Sequence, residues 1–161
     1  MKRYLANCFL LTIPVLVWNM VLADELPPIF QPAVFGHDIP VAITYGEHIS
    51  RIILFGLMFL MPLRMATVRQ KAGLAIYFLG MLLYFSSWLM LICLPDSPWS
   101  KSAPGFIAPA FTPLLWLTGI GLAGDRPFFR FPYLQYIYIL IMVLFLVCHN
   151  LHTWLIYSRI E

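Results

Sequence analysis

Charge is what this sequence has least of. Of 161 residues, 11% are charged while 61% are hydrophobic, and the mean hydropathy is +0.85. A soluble domain carries about 25% charged residues, because something must face water. Too few are present here to coat a globule of this size, so a water-soluble fold is excluded and lipid becomes the solvent of the outer surface. The net charge of +3 is spread singly along the chain, with no basic patch, which excludes the usual electrostatic route to DNA or RNA. Cysteine is scarce as well. Cys8, Cys93 and Cys148 have no CxxC spacing and lie in apolar runs, which reads as three small buried hydrophobes, with a Cys93–Cys148 disulfide left open. The chain has no Asn-x-Ser/Thr sequon, no lipidation motif, no internal repeat, no nucleotide-binding fingerprint, and no Ser-His-Asp or Cys-His arrangement with supporting context.

What the chain has instead is long apolar runs. A spanning helix needs about 20 mostly apolar residues, since each adds 1.5 Å and the hydrocarbon is about 30 Å thick. Five stretches qualify: residues 4–23, 40–63, 72–94, 106–123 and 133–157. The second opens on Asp38 as a cap and a proline in its first turn. The fourth is short and carries Pro109, Pro113, Gly119 and Gly121, so a re-entrant segment with only four spans is the alternative. The expected fold is an all-α polytopic bundle forming one integral membrane domain over residues 1–161.

Basic residues orient it. Lys2 and Arg3 precede the first run, Arg64, Arg69 and Lys71 lie between the second and third, and Arg126 and Arg130 lie between the fourth and fifth. Five spans with the N-terminus inside and the C-terminus outside put all three clusters on the cytoplasmic face, as the positive-inside rule requires. A bacterial inner membrane fits this pattern and the absence of sequons. Lys2-Arg3, the first apolar run and Val21-Leu22-Ala23 also resemble a signal peptide, although that run is longer than a usual signal core and holds Trp18 and Asn19. The segment 24–39, with three prolines and two phenylalanines, reads as a short outer cap. Trp18, Trp99 and Trp154 read as an outer aromatic belt, and Tyr133 and Tyr136 as an inner one.

The residues that could carry chemistry gather at one depth. In the run Tyr45-Gly46-Glu47-His48-Ile49-Ser50-Arg51, Arg51 lies twelve residues above Leu63, about 18 Å at helical rise, and so in the outer leaflet. Glu47 and Arg51 are four apart and meet on one helix face, with His48 on the flank. The last span offers His149 and His152, three apart, in its outer third. Asn19, Ser86 and Ser87 fall at comparable depth on two further spans. Ionisable groups there cost about 2.5–3.5 kcal/mol each on insertion scales, so they face the bundle interior, pair, or line a wet cavity.

Three functions follow from such a set. Glu47, His48, Arg51, His149, His152 and Asn19 form an outer-leaflet pocket that binds or conducts a small solute, ion or lipid headgroup. In that version Arg51 holds an anion and Glu47 balances it when the site is empty. Alternatively His48, His149, His152 and Glu47 hold a transition metal, or histidines from two helices hold a haem, in an enzyme acting on a lipid or quinone-like substrate. The remaining reading is an accessory structural subunit, in which the Glu47–Arg51 pair and the histidines only join helices. The expected partners are the bilayer and further membrane subunits, either copies of this chain or other proteins. Gly119-Ile120-Gly121-Leu122-Ala123-Gly124 follows no strand and lacks a lysine, so it reads as close helix packing and not as a phosphate loop.

Overall fold

The structure is a computed structural model that describes residues 6–125, 128 and 133–159. Lys2, Arg3, Arg126 and Arg130, on which much of the orientation argument rests, lie outside the described residues, as does the start of the first predicted span.

The described residues are helical, with no strand among them. A 3-10 turn over Cys8–Thr12 runs into α1 (Ile13–Leu22). Two further 3-10 turns, Ala23–Glu25 and Pro28–Phe30, and the single turn of α2 (Pro32–Phe35) lead to α3 (Val41–Phe59). α4 (Val68–Cys93) follows, then the short α5 (Pro98–Lys101), the pair α6 (Ala103–Phe111) and α7 (Pro113–Ala123), and α8 (Leu134–Tyr157). Among the described residues four stretches are long and apolar enough to cross a membrane: Cys8–Glu25, Val68–Cys93, Ala103–Ala123 and Leu134–Tyr157. α3 is not among them, because Glu47, His48 and Arg51 stand in its middle and lower its hydropathy.

Local chemistry sets several boundaries. Asn7 accepts a hydrogen bond from the Phe9 N–H at 3.1 Å and starts the first turn. Thr67 and Gln70 form a reciprocal capping box at the head of α4, satisfying two orphan donors. The expected Asp38 cap of α3 is not made. Asp38 is the non-glycine residue with positive φ (54°), and in that left-handed conformation its carboxylate turns to His37 Nδ1 at 2.9 Å, while Pro40 precedes the helix without a side-chain cap. At the α6–α7 break, Pro109 and Pro113 have no N–H to donate. Asn150 of α8 instead reaches the Ala110 carbonyl at 3.0 Å, so a carbonyl at the break is satisfied from a neighbouring helix.

The helices close into a ring. α4 packs along α7, α7 and α6 pack on α8, and α8 packs along α3. α1 lies on α4, where Trp18 stacks on Phe85 at 4.1 Å; Trp99 and Trp154 are exposed. Glycine permits the tightest crossing. A Cβ on Gly119 would stand 2.6 Å from the Gly73 carbonyl oxygen and 2.7 Å from the Tyr77 Cα, so α4 and α7 meet backbone to backbone. That is the close packing the glycine run predicts. All three cysteines are free: Cys8 and Cys148 are buried and Cys93 is exposed, which leaves the Cys93–Cys148 disulfide unformed.

The end of the bundle bearing Asn7 and Met61 is called the lower end here, and the end bearing residues 23–40 the upper end. At the lower end, Cys8 N–H donates to the Met61 carbonyl at 2.8 Å, and Phe9 stacks on Phe59 at 4.0 Å, tying the chain start to α3. At the upper end, Phe30 and Phe35 pack against Phe106 of α6, with Ile156 and Tyr157 of α8 in the same cluster. Residues 23–35 thereby form a roof over the ring.

Candidate functional site

The site is built where α3 and α8 approach. Gly46 makes that approach close, since a Cβ there would stand 2.8 Å from the Cys148 sulfur. The next residue, Glu47, is carried to the α8 surface and is 4% exposed. Its Oε1 pairs with the Arg51 guanidinium one turn along α3 and faces His149 Nδ1 at 3.2 Å. Its Oε2 faces His152 Nδ1 at 2.8 Å. One carboxylate thus gathers three side chains, as a buried anion must if it is to be tolerated at all.

The surroundings of His152 fix its protons. Its Nε2 lies 2.9 Å from the Phe35 carbonyl oxygen of the roof, and its ring lies 4.7 Å from the Phe35 ring. A carbonyl only accepts, so Nε2 carries a hydrogen. On the other side, either Nδ1 carries a second hydrogen toward a carboxylate, or the carboxyl carries it toward Nδ1. In both arrangements the Glu47–His152 pair is neutral overall and holds one shared proton. The Arg51 guanidinium stands beside this pair, on the same carboxylate.

The Arg51 guanidinium faces a partly open cavity of about 300 Å³ inside the ring. Every long helix lines it: Leu16 and Asn19 from α1, Arg51 and Phe55 from α3, Tyr84 and Trp88 from α4, Phe106 and Trp116 from α6 and α7, and Phe145 and His149 from α8. The roof contributes Leu26, Phe30 and Phe35. Its walls are mostly apolar and aromatic, with a few convergent polar groups, the usual composition of a small-molecule site. Phe145 is wedged between two of those groups, with the Arg51 guanidinium carbon 5.5 Å from its ring centroid and the His149 ring stacked on it at 5.3 Å. Across the cavity the Tyr84 hydroxyl donates to Asn19 Oδ1 at 2.7 Å.

The structure sorts the residues expected from the sequence into three groups. Arg51, His149 and Asn19 are on the cavity wall. Glu47 and His152 are buried directly behind it, touching Arg51 and His149 but not lining the space. His48 is exposed on the outer side of α3 and does not join the cluster, because one residue advances a helix by about 100° and Glu47 already takes the α8-facing direction. Ser87 is buried and donates to its own helix at the Tyr84 carbonyl, so it has a local role.

The expected metal set fares accordingly. Among the described residues no group of three histidine, cysteine or acidic side chains is arranged to hold a metal ion. His149 and His152 both direct Nδ1 at Glu47, and His48 lies exposed, apart from them. Two contributors were not legible in advance: the Phe35 backbone carbonyl, which has no sequence signature, and Tyr84, which looks like one more aromatic residue in an apolar run. Comparison of the chain with protein-family models, with curated proteins and with solved structures finds no match in any of the three.

Proposed function

We propose that this chain is a binding protein of the membrane interior, whose cavity takes a small molecule with an anionic or acceptor-rich head held by Arg51 and His149. The observation that carries this reading is the placement of Arg51, anchored by the buried Glu47, on the wall of an apolar aromatic cavity. Glu47 holds Arg51 in place when the cavity is empty, and a ligand anion shares the guanidinium when it is filled. The aromatic walls contact the ligand's apolar part.

In this reading α3 is the second of five spans. Its ionisable residues are tolerated because Glu47 faces α8 and Arg51 faces the cavity, while the lipid-facing side presents Ile49, Ile52 and Ile53. The N-terminus is cytoplasmic and the upper end faces outward, on the strength of Arg64, Arg69 and Lys71 at the lower end together with Lys2, Arg3, Arg126 and Arg130 in the sequence. The membrane is a bacterial inner membrane on the same argument. The geometry of His152 favours this reading over a metal- or haem-dependent one.

The test is ligand-dependent thermal stability of the protein purified in a neutral detergent. Octanoate and octyl phosphate should raise the melting temperature and octylammonium should not, with Arg51→Met removing the effect. Equal response to the cation would mean that only the apolar walls matter. No response to any of them would leave the Glu47 cluster as a purely structural joint between α3, α8 and the roof.

A further inference from the structure

The route into the cavity is written in the exposure of its walls. α1 and α3 are tied at the lower end by the Cys8–Met61 backbone bond, the Leu63 N–H to Ala6 carbonyl bond at 3.0 Å, and Phe9 stacked on Phe59 with its edge on Phe55. Above Phe55, among the described residues, no side-chain hydrogen bond joins the two helices, and each contributes cavity wall there: Leu16 and Asn19 from α1, Arg51 and Phe55 from α3. α1 and α3 make few close contacts with each other, the cavity is not fully closed, and Leu16 and the Arg51 side chain are each 37% exposed. The cavity therefore has a mouth in the seam between α1 and α3, with the guanidinium within reach of it.

What rims the mouth identifies what passes. Leu16 and Met20 lie four apart on one face of α1, with Met20 83% exposed, and on α3 the exposed Ile52 (71%) and His48 lie one turn from each other next to Arg51. Large apolar residues exposed to this degree are at home in hydrocarbon. At the upper end, the roof is bonded to α8 at Phe35 by His152, and the residues after it are held at His37 and Asp38 by Arg159, whose guanidinium donates to both carbonyls at 2.6 Å. The volume narrows the ligand further. A cavity of about 300 Å³ is at the small end of ligand sites, enough for a head and the first part of one chain but not for a two-chain phospholipid.

We propose that the ligand is a single-chain anionic lipid, such as a long-chain carboxylate, which enters sideways from the bilayer through the α1–α3 seam. Its head meets Arg51 and His149, its upper chain lies against the aromatic walls, and its tail remains in the seam among Leu16, Val17 and Met20. This rests on the binding reading above and adds the ligand class and the path.

The experiment uses the full chain in phosphatidylcholine nanodiscs and measures equilibrium binding of radiolabelled acetate, octanoate and palmitate, with phosphatidic acid as a two-chain competitor. Affinity expressed per ligand in the membrane phase should rise at least tenfold from acetate to palmitate. Phosphatidic acid should not compete, and Arg51→Met should lower palmitate binding at least tenfold. Leu16→Trp, which fills the seam at a partly exposed position, should weaken palmitate more than octanoate. Acetate or inorganic phosphate binding as tightly as palmitate would overturn the lipid assignment while leaving the anion-binding reading intact. Competition by phosphatidic acid would overturn the single-chain assignment, and equal weakening of both chains by Leu16→Trp would overturn the seam path. Absence of binding by every anion, in a protein whose melting profile is normal, would sink the binding reading itself.

Discussion

His152 meets Glu47 across 105 positions of chain, Nδ1 to Oε2 at 2.8 Å, and with its other nitrogen it holds the carbonyl of Phe35. One imidazole thus joins three parts of the protein: α8 that carries it, α3 that carries Glu47, and the roof. A site residue and a structural joint are the same side chain here, so mutational effects on binding and on folding have to be separated by choosing which contact to remove.

Glu47 is the hub, and its removal should cost most. Glu47→Ala deprives Arg51, His149 and His152 of their common acceptor, and breaking a buried charge cluster by removing one partner typically costs about 3–5 kcal/mol. Arg51→Met removes only one of three partners, from a side chain that is 37% exposed, and should cost about 1 kcal/mol or less. Equilibrium unfolding in mixed detergent micelles measures both. If Arg51→Met proved as damaging as Glu47→Ala, the imidazoles would not be holding the carboxylate as the geometry implies.

The roof should loosen when its latch is removed. Leaving a buried acceptor unsatisfied costs about 1–3 kcal/mol, so losing the bond from His152 to the Phe35 carbonyl corresponds to roughly a tenfold gain in local opening. His152→Phe keeps an aromatic ring against Phe35 but cannot donate. Amide hydrogen exchange at Val34, Phe35 and Gly36, whose N–H groups bond within the roof, should accelerate by that factor, while amides in α4 should not change. Exchange in the roof that matches the parent protein would show that Arg159 and the Phe30–Phe106 contact suffice to hold it.

The long apolar helices and the α3–α8 meeting were legible because they follow from run length and from residue spacing. Glu47 and Arg51 at i and i+4, and His149 and His152 at i and i+3, fix a face on each helix, and two such polar faces within one apolar bundle have few places to go other than together. His48 shows the limit of that reasoning: proximity in sequence drew it into the set, although the helical period points it 100° away from Glu47. The roof contact was out of reach, since a backbone carbonyl is present at every position and only the tertiary fold selects Phe35. Asp38 was misread for a similar reason. Its residue type suits a cap, but its left-handed backbone places it two residues ahead of Pro40 and turns its side chain to His37.

Asn150 should prove important for stability although it does not line the cavity. Its amide nitrogen reaches the Ala110 carbonyl at 3.0 Å and the Leu146 carbonyl at 2.8 Å, serving the α6–α7 break from the neighbouring helix. Asn150→Ala leaves the Ala110 oxygen without this donor, at a cost of about 1–3 kcal/mol for an unsatisfied buried acceptor. The unfolding midpoint reports it, and exchange at Thr112 and Leu115 localises it to the break. A neutral Asn150→Ala would mean that the break is satisfied by other donors.

Two glycine substitutions should move in opposite directions and so test the packing itself. A methyl group on Gly119 would have to displace backbone atoms of α4, since the Gly73 oxygen and the Tyr77 nitrogen stand within 2.6 Å of it. Backbone cannot rotate aside as a side chain can, so Gly119→Ala should cost about 1–3 kcal/mol as overpacking. Gly56 on α3 is exposed and a methyl group there meets nothing within 4 Å. Gly56→Ala should therefore be neutral or gain up to about 1 kcal/mol, because glycine inside a helix is the more costly residue. Equal and small effects at both positions would show that α4 and α7 are further apart than their backbone-to-backbone contact requires. The ring that encloses the cavity would then be looser on the side opposite the α1–α3 seam.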